Sequence, residues 1–426
     1  MAHIRCTPLT FLLTGFAWLL LSSLVAIATL IGLVNGTPLP SWLKMIHVHG
    51  ALVGGLLQLV IGGFFVSLAR CSGYKDAYSE SRSGLFLTLN GATIGLLVGF
   101  WLGQMMVVGL AGLVLIGVVL SLSQMAWPHV HEEINQPAGA GWIYRAALIA
   151  LLIGLAVGVA MAFRLVQVYY THARLLHIHL IVLGFLTVTF VVALHQLIPA
   201  LLQKPLANLR LAGLTLALLP VGFVVLLAGF VTSSLWLEIA VGSFLVVVVA
   251  LCTYNLITTW ARSGLPGNAA SDHLLIGIFF LLLATVTGLA MAANYVPTPP
   301  FLPMGLLHLV AYTHLAFIGF MVQSVCGALS YGLPIVLAVS RVPNSKKRES
   351  YRAQLDAIMN RWRALQLGTM SFGTMGLSVL AALTWSLSLG SPYVQGVVWI
   401  AAGLLLVSLA LFAAKLAWAT GHPPSE

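Results

Sequence analysis

Charge is what this chain has least of. Lys, Arg, Asp and Glu together make up 7% of its 426 residues, against roughly 25% in an ordinary soluble domain. A chain so poor in charge cannot cover a water-facing surface, which excludes a soluble enzyme or soluble binding module. Acid is scarcer still. The nine carboxylate side chains (Asp76, Glu80, Glu132, Glu133, Glu238, Asp272, Glu349, Asp356 and Glu426) all fall in loops or at helix ends. Proton pumps and proton-coupled carriers usually bury a carboxylate in mid-membrane, so that class is poorly supported. Cys6, Cys71, Cys252 and Cys326 are isolated from one another. They exclude a disulfide framework, a zinc knuckle and a Cys-x-x-Cys-His attachment. No phosphate loop or dinucleotide fingerprint is present either.

What fills the space is apolar, at 60% of the chain. Stretches of about 20 apolar residues give twelve spans, near 9–34, 46–69, 83–104, 105–126, 142–163, 171–200, 208–230, 235–260, 272–294, 304–335, 365–388 and 394–420. The expectation is an all-α polytopic membrane protein, one twelve-helix transmembrane domain over 1–426 with the lipid bilayer as its solvent. The first span is too long and too weakly flanked for a cleaved signal peptide. Of the 19 basic residues, 16 fall on the side shared by the two termini, and only Lys44, Arg164 and Arg174 on the other. Both termini should therefore face the cytoplasm, in a bacterial-type inner membrane. The net charge of +10 reflects that topology and not a nucleic-acid partner. The longest loop, 336–364, carries seven basic residues between Arg341 and Arg363. It suits a helix on an anionic lipid surface as well as it suits a solvated loop.

Three spans share a phrase. His49, His179 and His314 each begin His-x4-Gly, ending at Gly54, Gly184 and Gly319, at intervals of 130 and 135 residues. Two positions earlier stand His47, His177 and, in the third, Tyr312. A histidine in an apolar helix is costly to bury without a partner. Singly, each reads as a hydrogen-bonded packing residue with a glycine for close approach; repeated in one layer, they read as ligands. Spans 2, 6 and 10 run the same way, so these residues and His308 share the outer part of the membrane, whereas His195 lies ~24 Å further along its helix. Residues two apart on an α-helix project about 200° from one another, so each pair must look into two compartments. A ligand shell must then be built between helices, one histidine from each side of a flat cofactor, as a low-spin haem requires.

Twelve spans, histidines on spans 2, 6 and 10 and a four-helix internal repeat resemble subunit I of the haem-copper oxidase superfamily over nearly the whole chain. The His-x-His-x4-Gly wording is also similar to the nitric-oxide-response membrane proteins of the NnrS type. The resemblance implies pseudo-threefold symmetry and at least one b-type haem, clasped by His49 (or His47) and His314. A second haem or copper site around His177, His179 and Tyr312 is left open, because Tyr312 replaces the family's ligand to the second haem. The family's copper site needs an adjacent His-His pair on span 7, which residues 208–230 lack. Electron transfer or redox chemistry on nitric oxide or oxygen is implied, with a quinol or cytochrome c as redox partner and further subunits alongside. Whether the chain is itself an oxidoreductase stays open.

Arg164 and Arg174 flank the start of span 6 and would suit haem propionates, or equally lipid headgroups. Asn90, Gln58 and Gln323 suit a water path or helix packing. His129-Val130-His131-Glu132-Glu133 reads as a chance cluster more readily than as a metal site. A second class of function fits the same features: a twelve-span transporter or transition-metal permease using the histidine layer.

Overall fold

The structure, a computed structural model, describes residues 6–71, 82–126 and 140–424. The chain is 85% helix, with no strand among the described residues. Among the described residues twelve helices are long and apolar enough to cross a membrane, which makes this an integral membrane protein. They are Pro8–Val34, Trp42–Leu68, Ser83–Trp101, Met105–Met125, Gly141–Ala162, Gln167–Leu202, Leu209–Thr232, Leu235–Ser263, Ala269–Ala293, Leu307–Arg341, Arg363–Leu383 and Pro392–Gly421, numbered here as spans 1 to 12. The tight connection between spans 3 and 4 is a three-residue turn with Gly103 at φ +66°, a conformation that suits glycine.

Consecutive spans pack side by side, and span 1 meets span 12 to close the circuit, with Phe16 and Phe412 5.2 Å apart. Spans 2, 6 and 10 sit inward of the others. In their most apolar windows 56%, 56% and 72% of residues are buried, against at most 44% elsewhere. Phe190 of span 6 and Phe320 of span 10 meet at 6.0 Å.

These inner spans share an unusual construction. Each is α-helix up to the phrase histidine, after a 3-10 turn at Gln167–Tyr169 in span 6, and then becomes π-helix for eight residues: Gly50–Leu57, Leu180–Thr187 and Leu315–Val322. π-helix is rare and clusters at functional sites. The phrase glycine falls fifth in each π segment, where the helix meets a large aromatic side chain. A Cβ would lie 2.6 Å from Trp18 at Gly54, 2.6 Å from Phe223 at Gly184 and 2.5 Å from Phe280 at Gly319. The glycine is thus a seat for a ring from a neighbouring span.

The 336–364 segment is helical. Span 10 continues to Arg341, and Ser345–Asn360 forms a separate helix. Tyr351, Leu355, Ile358 and Met359 bury its apolar face against spans 10 and 12. That face packs on protein, and Lys346 and Lys347 on the same helix are exposed. Lys415, one of the 16 basic residues on the side of the termini, is fully buried in span 12.

Substitution at the seat should be costly. Gly319→Val is expected to lower stability by about 1–3 kcal/mol through overpacking against Phe280. Gly63→Ala, where a Cβ meets nothing within 4 Å, should be neutral. Thermal unfolding of the two variants in detergent checks the contrast.

Candidate cofactor site

The histidine layer sits in the α-helical lead-ins Trp42–His49, Tyr170–His179 and Leu306–His314. Because these stretches are regular α-helix, the 200° argument holds, and the paired residues do face different ways. His47 faces His314 across 6.3 Å between ring centres, with the planes 4° apart. His49 faces His177 across 6.5 Å, with the planes 23° apart. The ring opposite His314 is therefore that of His47, and His49, the partner named first in the sequence, is turned to span 6.

Every one of these rings is anchored through Nδ1. His47 donates to the carbonyl of Ser22 on span 1 at 2.8 Å, and His177 to that of Gly154 on span 5 at 2.8 Å. His49, His179 and His314 donate to carbonyls one turn back on their own helices: Met45 at 2.9 Å, Leu175 at 2.8 Å and Val310 at 2.7 Å. A proton held on Nδ1 leaves the lone pair on Nε2. Among the described residues none of these five Nε2 atoms has a hydrogen-bond partner.

The repeat also has a third gap, and it is built differently. His179 lies against Phe230, with ring centres 4.4 Å apart. The position that would supply a facing imidazole is Tyr312, which packs over Gly288, where a Cβ would lie 3.0 Å from its ring. The remaining outer residues stand apart from the layer. His308 accepts from Gly305 N at 3.1 Å and is hydrogen-bonded to Trp385. His172 contacts Ser233 Oγ at 3.0 Å. Arg164, at φ +60°, and Arg174 are exposed.

Two-ligand geometry restricts what could bind. A metal–imidazole bond of about 2.0 Å on each side, with about 1.1 Å from each nitrogen to its ring centre, puts two axial rings roughly 6.2 Å apart. Both pairs match that separation. Among the described residues no group of three or more His, Cys, Asp or Glu side chains is placed to hold a metal ion. A metal held by only two protein donors has to arrive with equatorial donors of its own.

Away from the layer, on the side of the termini, lies a polar cluster that the sequence reading missed. His273 Nδ1 donates to Gln323 Oε1, and Gln323 Nε2 donates to Ser371 at 3.2 Å. Lys415 Nζ donates to Gln366 Oε1 at 2.6 Å and to the Met359 carbonyl at 3.0 Å. His273, Gln323, Gln366 and Lys415 are all fully buried. Met359 is next to last in its helix, so the lysine sits on the negative end of a helix dipole. The available signals were Gln323, which the sequence offered for a water path or helix packing, and a histidine without a repeat partner four residues into span 9.

His195 is buried far from the layer, with its Nδ1 bonded to Val191 O at 2.8 Å. Asn90 accepts from Trp18 Nε1 at 2.9 Å and is a packing contact between spans 1 and 3. The His129–Glu133 cluster lies outside the described residues. Compared with known proteins, the chain matches no family model and no curated protein.

Gln58 is fully buried, and neither amide atom has a partner. An unsatisfied buried amide costs about 1–3 kcal/mol. Gln58→Leu is therefore expected to raise the unfolding temperature in detergent; a fall would show that an ordered water or bound group satisfies the amide.

Proposed function

We propose that this chain is an integral-membrane haem protein with a haem-copper oxidase subunit I-like arrangement, its twelve spans related by pseudo-threefold symmetry. His47 and His314 would hold a b-type haem through their Nε2 atoms. The observation that carries this reading is the His47–His314 pair itself: parallel rings at axial-ligand separation, with both Nδ1 atoms tied to carbonyls and both Nε2 atoms free. The donor set fits the group, since a porphyrin supplies the four equatorial nitrogens that the protein does not.

When bound, the haem supplies one-electron exchange between its ferric and ferrous states. The chain's own residues do the rest. The carbonyls of Ser22 and Val310 fix the tautomer and orientation of the two imidazoles and raise their basicity. Ligation and packing would hold the group without covalent attachment. Arg164 and Arg174, exposed on either side of the start of span 6, are cations for propionates or lipid headgroups.

The role that follows is electron transfer or small-gas redox chemistry, with electrons from a quinol or a cytochrome c and with partner subunits alongside. Of the two, electron carriage asks for nothing beyond the two rings. The membrane is the bacterial plasma membrane, with the termini in the cytoplasm, as the 16-to-3 division of basic residues supports. A permease for free transition-metal ions is the weaker reading, because each facing pair offers a bare ion only two donors.

The test is a reduced-minus-oxidised optical spectrum of the purified chain with haem quantitation. Low-spin b-type bands are expected. His47→Ala and His314→Ala should each abolish the haem held by this pair, whereas His195→Ala and His308→Ala should leave it. Full retention in His314→Ala would reject the assignment.

A further inference from the structure

The His47–His314 pair uses only one face of span 2. His49, two residues on, projects from the opposite face of the same α-helical lead-in and meets His177 of span 6 at 6.5 Å, 23° from parallel. The chemistry of this second pair repeats that of the first. One ring is anchored on its own helix through Met45 O, the other on the preceding span through Gly154 O. Both Nε2 atoms lack hydrogen-bond partners among the described residues.

The surroundings are shaped for flat rings. Phe100 of span 3 lies 4.5 Å from the His49 ring. Span 5 presents Gly158 under His177, where a Cβ would lie 2.7 Å from the imidazole. A side chain there would displace the His177 ring, so the glycine fixes where that ring can sit.

We propose that His49 and His177 are the axial ligands of a second haem, and that the chain carries two haems on opposite faces of span 2. This rests on the preceding reading for the kind of group bound, and adds a site and a stoichiometry. The site lies between spans 2 and 6, away from Tyr312, where the resemblance would have placed a second haem. The rule behind it is internal to the fold: the phrase histidine of one repeat faces the earlier position of another. That rule yields a pair twice, and at the third gap the earlier position is Tyr312.

The experiment is pyridine-haemochrome quantitation of the purified full-length chain against protein concentration. Two haems per chain are expected. His177→Ala and His314→Ala should each fall twofold to one, and the double variant to none. His177→Gly supplied with free imidazole should regain the second haem, which a folding defect would not do. One haem per chain, unchanged in His177→Ala and lost in His314→Ala, would overturn the second site and leave the first standing. A chain purified with no haem would overturn both.

Discussion

An imidazole placed among hydrocarbon must give its N–H to something, and the arrangement of the inner spans follows from where that proton goes. In all five layer histidines it goes to a backbone carbonyl. A helix interior offers few such acceptors, since its carbonyls already serve the ladder. Using a second lone pair one turn back, or one on a neighbouring span, fixes the ring and leaves the lone pair on Nε2. The π segments begin at the next residue. A π turn holds more residues than an α turn, so it turns less per residue and re-aims the lower half of each span. Gln58 and Gln323, the first residues beyond two of these segments, are buried as a result.

The same scarcity of partners governs the cations. With 19 basic residues and nine acids, most positive groups cannot find a carboxylate. Several use helix ends instead. Arg341 donates to the carbonyls of Thr420 and His422 at the end of span 12, and Lys415 to that of Met359. Arg363 pairs with Asp272 at 3.2 Å and donates to the loop carbonyl of Gly267. The terminal carbonyls of helices thus take the place of counter-ions, and the connecting helix is stitched to span 12 by that means.

The twelve spans and the histidine layer were legible because both are periodic signals: hydropathy over about 20 residues, and a phrase repeated at matching places. The division of each His-x-His pair between two compartments was legible too, because it depends only on α-helical geometry. Which histidine faces which was not. Positions some 200° apart are nearly interchangeable when a helix is viewed from its sequence, and only the packing of span 2 against its neighbours assigns His47 to span 10 and His49 to span 6. The π segments leave no mark in hydropathy, and their glycines read as ordinary packing residues. The burial of Lys415 was not legible, because a charge one or two turns from a helix end looks the same whether it leans outward to headgroups or inward to a carbonyl. His273 belongs to no repeat, so nothing in the sequence separated it from a solitary core histidine.

In each facing pair one ring is held by its own helix and the other by a carbonyl of an adjacent span. The first travels with its backbone as a rigid body; the second is steered from next door. The gap at His47–His314 therefore senses the sliding of span 1 along span 2, through Ser22. The gap at His49–His177 senses that of span 5 along span 6, through Gly154. Span 2 supplies the fixed jaw to one gap and the steered jaw to the other. A small displacement of an outer helix would strain the jaw it steers and leave the opposing ring in place.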